Sequence, residues 1–211
     1  MAGSSGHSHR YRGGQRPEMA IASPWSIAQF TILSGALFWL LMMAVHELGH
    51  CLHAWATGGR VVRVVLHPLQ FSRTDVVPNP SPAAVAWGGV IWGTLIPVVV
   101  WLGAAAMRMR ISPWLRAFAG FCAVANGVYL AAGVVIPAGD TEDLLRLGVS
   151  RWVLASVGGP MAVAGFWIWH GLGPWLGLFL VTRDQARRGT LSCAAVLAGA
   201  VFWMLVRRAA G

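Results

Sequence analysis

Charge is missing from long stretches of this chain. No Asp, Glu, Lys or Arg occurs from Met19 to His46, Val76 to Met107, Ala117 to Gly139, Trp152 to Thr182 or Gly189 to Val206. Each run approaches or exceeds the roughly 18–20 apolar residues that an α-helix needs to cross the hydrocarbon layer of a bilayer. The chain therefore reads as an all-α multipass membrane protein with about five to six transmembrane helices. Only 11% of the residues are charged and 56% are apolar, whereas a soluble domain carries about 25% charge. A secreted disulfide scaffold, a disordered chain and a free-standing soluble enzyme are excluded.

The basic residues fit the same picture. All 16 are arginine. Arg10, Arg12 and Arg16, then Arg108, Arg110 and Arg116, then Arg183, Arg187 and Arg188 lie at the ends of apolar segments, where they meet lipid headgroups. They do not cluster with exposed aromatics, so the expected partner is the lipid bilayer and no nucleic acid. Cys51, Cys122 and Cys193 are odd in number and scattered through apolar segments, which suggests buried thiols and no paired-cysteine zinc site.

Residues 1–24, rich in Gly, Ser, His and Arg, read as a flexible basic tail. His7 and His9 belong to it as solvated residues. Residues 25–211 read as a single membrane-embedded domain. Its first helix is expected over 25–57, beginning near Ser26 and stopped by Gly58-Gly59. The β-branched run from Val61 to Val65 and the polar Ser72-Arg73-Thr74 segment predict a short β-hairpin over 60–78. Two helices are expected over 83–136, the second running to about Ile136. A loop over 137–148 and C-terminal helices over 150–208 complete the chain, with a possible break at Gly171-Leu172-Gly173-Pro174 and a last span from about Thr190. Gly88, Gly89 and Gly93 would let another helix approach closely. Trp25, Trp114 and Trp152 stand near segment ends, as interfacial anchors do.

The chemistry is concentrated at His46-Glu47-Leu48-Gly49-His50. Two imidazoles and a carboxylate inside an apolar helix are costly, and such residues are functional by default. Positions four apart share a helix face, so His46 and His50 can aim ring nitrogens at one ion with Glu47 beside them. This is the H-E-x-x-H zinc pattern, in which the ion activates a water and the glutamate takes its proton. His46 and His50 are therefore expected to bind Zn²⁺, with Glu47 as the catalytic general base.

A catalytic zinc needs a third protein ligand. His53 lies about 10 Å further along the axis of an unbroken helix by helical rise, too far to share the ion. His67, in the hairpin, and His170, at the end of the fourth apolar segment, read as structural or interfacial. Among the acidic residues, Glu18 falls in the tail, Asp75 at the hairpin end and Asp184 in a basic loop. Asp140 stands where the third helix ends on the motif's side, and it is the expected ligand. Asp143 is its rival, since Asp140-Thr141-Glu142-Asp143 also reads as a helix N-cap with a carboxylate three residues on.

These residues resemble the site-2 protease family of intramembrane zinc metalloproteases, in particular its small bacterial members without a PDZ insert. The resemblance rests on the H-E-x-x-H segment, the apolar helix around it, the Gly-Gly-Arg-Val-Val-Arg stretch from Gly58 to Arg63 and the Gly88-Gly89 pair. It covers roughly the first three helices. It implies a helical membrane core in the bacterial cytoplasmic membrane, a hairpin beside the active site, and a membrane-tethered protein substrate that adds as a strand. Many members carry the third ligand in an Asn…Pro-x-Leu-Asp-Gly segment. Here Pro137-Ala138-Gly139-Asp140 has its glycine before the aspartate, and Asn126 lies well upstream. Asn126 reads as an interhelical hydrogen bond, with an oxyanion contact as the alternative.

The function expected from the sequence is that of a zinc-dependent endopeptidase cleaving a membrane-tethered segment. The alternative is a non-hydrolytic metal-binding membrane scaffold or pseudoprotease. A transporter is disfavoured, because paired charges along several helices are absent.

Overall fold

The computed structural model describes residues 23–67, 72–172 and 183–209. Most of the tail expected over 1–24, including His7 and His9, lies outside the described residues. So do the hairpin tip at 68–71 and the stretch from 173 to 182, where the break after Gly171 was expected.

The first helix, α1, runs from Pro24 to Ala56. Pro24 suits a first helical turn, whose N–H groups have no intrahelical partner, and the Ser23 hydroxyl accepts the Ser26 N–H at 3.2 Å. The helix stops where the glycines are. Gly58 takes φ +77°, the left-handed conformation that closes many helices, and Gly59 N–H bonds back to the Ala54 carbonyl at 2.7 Å.

The chain then forms the strands β1 (Val61–Val65) and β2 (Arg73–Val76). They pair antiparallel with Val64 opposite Thr74 and Val65 opposite Arg73, and the register shifts between Val61 and Arg63.

Helices α2 (Pro82–Ala106) and α3 (Ser112–Ala132) follow, each opening on a proline in its first turn. The third helix ends four residues before the Ile136 expected from its apolar run. Ile136 precedes Pro137, a position that disfavours helical backbone, and Gly133 leaves the space that Thr141 fills. The segment expected as a loop over 137–148 contains a short helix, α4 (Asp140–Arg146). Helix α5 spans Arg151–Trp169.

The last helix, α6 (Arg183–Ala209), begins at Arg183 and not at Thr190. The Arg183–Arg188 stretch expected as a loop is helical. Its Gln, Ala and Arg are residue types that favour helix.

Among the described residues, four helices, α1, α2, α3 and α5, are long and apolar enough to cross a membrane. The fifth charge-free run lies within α6.

Two apolar clusters hold the helices together. Val90, Leu130, Leu144 and Leu154, each 0% exposed, join α2, α3, α4 and α5. Leu40, Met42, Met43 and Cys122 join α1 to α3, and Leu197, Ala200 and Val201 of α6 pack against them. Glycines set the closest approaches. A Cβ on Gly158 would stand 2.6 Å from the Gly127 carbonyl oxygen, and one on Gly165 would stand 2.9 Å from that of Gly120. Antiparallel α3 and α5 therefore meet backbone to backbone. As a result, the second half of α1, the hairpin, the start of α2, the end of α3 and α4 gather at one end of the bundle.

Candidate metal centre

The site begins with the i, i+4 spacing of α1, which stacks the rings of His46 and His50 edge to face at 4.9 Å between centroids. Each ring is held from behind. His46 Nδ1 meets Asn126 Oδ1 of α3 at 2.9 Å, and His50 Nδ1 meets the Val85 carbonyl of α2 at 2.7 Å. Asn126 is 1% exposed, and its Nδ2 donates to the Cys122 carbonyl at 3.0 Å. That bond fixes the orientation of the amide, so Oδ1 faces His46 as an acceptor. Both Nδ1 atoms therefore carry the proton, and both Nε2 atoms are turned to the opposite side.

On that side stands Asp140. Its Oδ2 lies 2.9 Å from His46 Nε2 and 3.3 Å from His50 Nε2. A proton or a metal ion between them lets two ring nitrogens and a carboxyl oxygen meet so closely. Burial alone would raise the Asp140 carboxyl, but the hydrogen bonds from His46 and His50 outweigh it and hold the group well below the usual carboxylate range.

The donor set fits zinc. Ligand atoms about 2.0–2.1 Å from a tetrahedral zinc stand about 3.3–3.4 Å from one another; His50 Nε2 and Asp140 Oδ2 are at 3.3 Å, and His46 Nε2 is closer to Asp140 Oδ2, at 2.9 Å. One ligand atom each of His46, Glu47 and His50 also lies within 4.8 Å of the others, a group that could hold a metal ion. Asp140 lies outside that group, yet its Oδ2 stands within 3.3 Å of both Nε2 atoms, so His46, His50 and Asp140 present three converging donor atoms with Glu47 alongside. The space is kept open by α2: a Cβ on Gly89 would stand 2.5 Å from both Nε2 atoms.

The α3–α4 turn explains how Asp140 arrives there. Gly139 takes φ +51°, and a Cβ on it would stand 2.8 Å from the Tyr129 hydroxyl oxygen, so glycine before the aspartate is required. Tyr129 accepts the Asp140 N–H at 2.8 Å and donates to the Ala138 carbonyl at 2.9 Å. The N-cap reading of Asp140 does not hold. Gly139 occupies that position without a side-chain cap, and Asp140 is the first helical residue. Asp143, one turn on, is exposed, and both histidine ion pairs are made with Asp140.

Glu47 is 2% exposed. Its Oε2 accepts the Thr74 hydroxyl of β2 at 2.6 Å. The remaining histidines lie elsewhere. His53 Nδ1 donates to the Ala84 carbonyl at 2.5 Å, His170 stacks on Trp167 at 6.1 Å, and His67 follows β1.

These side chains open into a cavity of about 990 Å³, with Trp39, Met43 and Phe121 lining its apolar part and Arg73, Asp75 and Asp143 its polar part.

The contacts of Thr74 and Tyr129 were not foreseen from the sequence, Gly89 was expected only as a point of close helix approach, and Asn126 was left out of the metal set. Asn126 carried a usable signal, being a polar side chain inside a charge-free apolar run. Thr74 carried none. Comparisons of the chain with protein-family models, curated proteins and solved structures found no match.

Proposed function

We propose that this chain is a membrane-embedded zinc endopeptidase that cleaves a membrane-tethered protein segment. The observation that carries this reading is the convergence of His46 Nε2, His50 Nε2 and Asp140 Oδ2, with both Nδ1 atoms engaged from behind and Glu47 alongside. The four long apolar helices support the membrane setting.

His46, His50 and Asp140 would hold the metal, which when bound supplies Lewis-acid polarisation of the scissile carbonyl and a more acidic water. Glu47 would take a proton from a water as the water oxygen adds to the carbonyl carbon. The same carboxyl then delivers the proton to the amide nitrogen as the C–N bond breaks, leaving a carboxylic acid and an amine. β2 belongs to a two-stranded sheet, and Arg73, Thr74 and Asp75 all line the cavity. An extended segment laid along that strand would bring its backbone to the ligands, as strand addition does elsewhere.

Zinc content of detergent-purified protein, measured beside Asp140→Ala, Asp143→Ala and Glu47→Gln, tests the site. The expected result is near-stoichiometric zinc in the wild type, Asp143→Ala and Glu47→Gln, and its loss in Asp140→Ala. Cleavage of a membrane-tethered reporter should vanish in Glu47→Gln. A wild type that takes up no zinc after supplementation ends the metalloprotease reading. Retained zinc without any cleavage favours the non-hydrolytic scaffold.

A further inference from the structure

A buried carboxylate requires hydrogen-bond donors. Among the described residues Glu47 receives a side-chain donor from one place, the Thr74 hydroxyl, at 2.6 Å from Oε2. The Glu47 carbonyl is a more distant second acceptor for the same hydroxyl, at 3.5 Å. The Thr74 hydroxyl carries a single proton, and the 2.6 Å contact directs it at Glu47 Oε2. Oε2 is thus engaged in a charge-assisted bond, and Oε1 keeps its lone pairs for the incoming proton.

Thr74 does not belong to the helical scaffold that holds the ligands. It sits on β2, opposite Val64 of β1, between Arg73 and Asp75 on the cavity wall. We propose that Thr74 is the positioning residue for Glu47, so that the general base is correctly set only when the hairpin is seated against α1. A segment docked along β2 would hold the strand in place and with it the base, which links substrate binding to chemistry. The inference rests on the endopeptidase reading given above.

The test compares Thr74→Val, which removes the hydroxyl at nearly constant shape, with Thr74→Ser, which keeps it. With a membrane-tethered peptide reporter, Thr74→Val is expected to lower kcat about tenfold to a hundredfold with KM within about twofold. Thr74→Ser should recover kcat to within about threefold of the wild type. Zinc content should be the same in all three proteins.

A second measurement needs no substrate. If Thr74 and Glu47 are bonded, the Tm loss of Thr74→Val/Glu47→Ala falls short of the sum of the single losses by about 2–4 °C. Additive losses overturn the proposal, as does a kcat unchanged in Thr74→Val or a Thr74→Ser as impaired as Thr74→Val. A zinc-loaded wild type that hydrolyses nothing overturns the endopeptidase reading instead, and the thermal cycle still decides whether Thr74 holds the carboxylate.

Discussion

Asn126 shows how much a single polar side chain can settle in an apolar helix. Its amide does two things at once: Nδ2 ties it to its own helix at the Cys122 carbonyl, and Oδ1 fixes the tautomer of His46 on a neighbouring helix. Without that acceptor the imidazole can rotate or carry its proton on Nε2, the nitrogen required for a metal. Outer partners of this kind change metal affinity by about 10- to 100-fold. Asn126→Leu is therefore expected to weaken zinc binding by about that factor while leaving one site per chain, as read by competition with a chelator of known affinity. An affinity within a factor of two of the wild type would remove Asn126 from the site. The interhelical hydrogen bond expected at Asn126 is present, and its partner is a residue of the motif itself. The sequence could not name that partner, because residues 46 and 126 are brought together only by packing.

At the scale of elements, the crossing of α1 and α2 decides whether the site exists. Gly49 and Gly88 let the two backbones touch, since a Cβ on Gly88 would stand 2.6 Å from the Gly49 carbonyl oxygen. The crossing also leaves Gly89 directly against the two ring nitrogens. Gly89→Ala would place a methyl group where the ligands converge and push the helices apart. It should abolish zinc binding and cost about 1–3 kcal/mol. Gly103 lies in the same helix with nothing within 4 Å of a Cβ built on it. There alanine should stabilise the protein by about 0.5–1 kcal/mol, the ordinary gain from replacing glycine inside a helix. Metal analysis and thermal denaturation of the two variants separate a local steric effect from a general intolerance of substitution in α2. Zinc retained in Gly89→Ala would contradict the site geometry. The glycine pair was legible as a place of close helix approach, but which atoms it approaches was not.

Across the whole molecule, the converging donors His46, His50 and Asp140 come from two helices far apart in sequence, and the groups behind the histidines come from α2 and α3. A metal bound there links α1 to α4 and favours the folded state by mass action, by about 2.7 kcal/mol when free metal is a hundredfold above Kd. Chelation is expected to lower Tm by several degrees, reversibly on return of zinc, in the wild type and in Glu47→Gln. Asp140→Ala should lack this response. A Tm indifferent to metal in every variant would mean that no ion is held. The charge-free runs by themselves determined a helical chain able to cross a membrane, because nothing else buries so many consecutive apolar residues. The i, i+4 spacing of His46 and His50 determined that two imidazoles share a face, since helical geometry is local. The third ligand narrowed to Asp140 or Asp143 because acidic residues are so few. Tertiary structure alone decided the rest. It turned Asp140 toward the histidines through the positive φ of Gly139, set Thr74 against Glu47 and closed α2 over the rings. Those contacts join residues tens of positions apart, and no period or propensity along the chain encodes them.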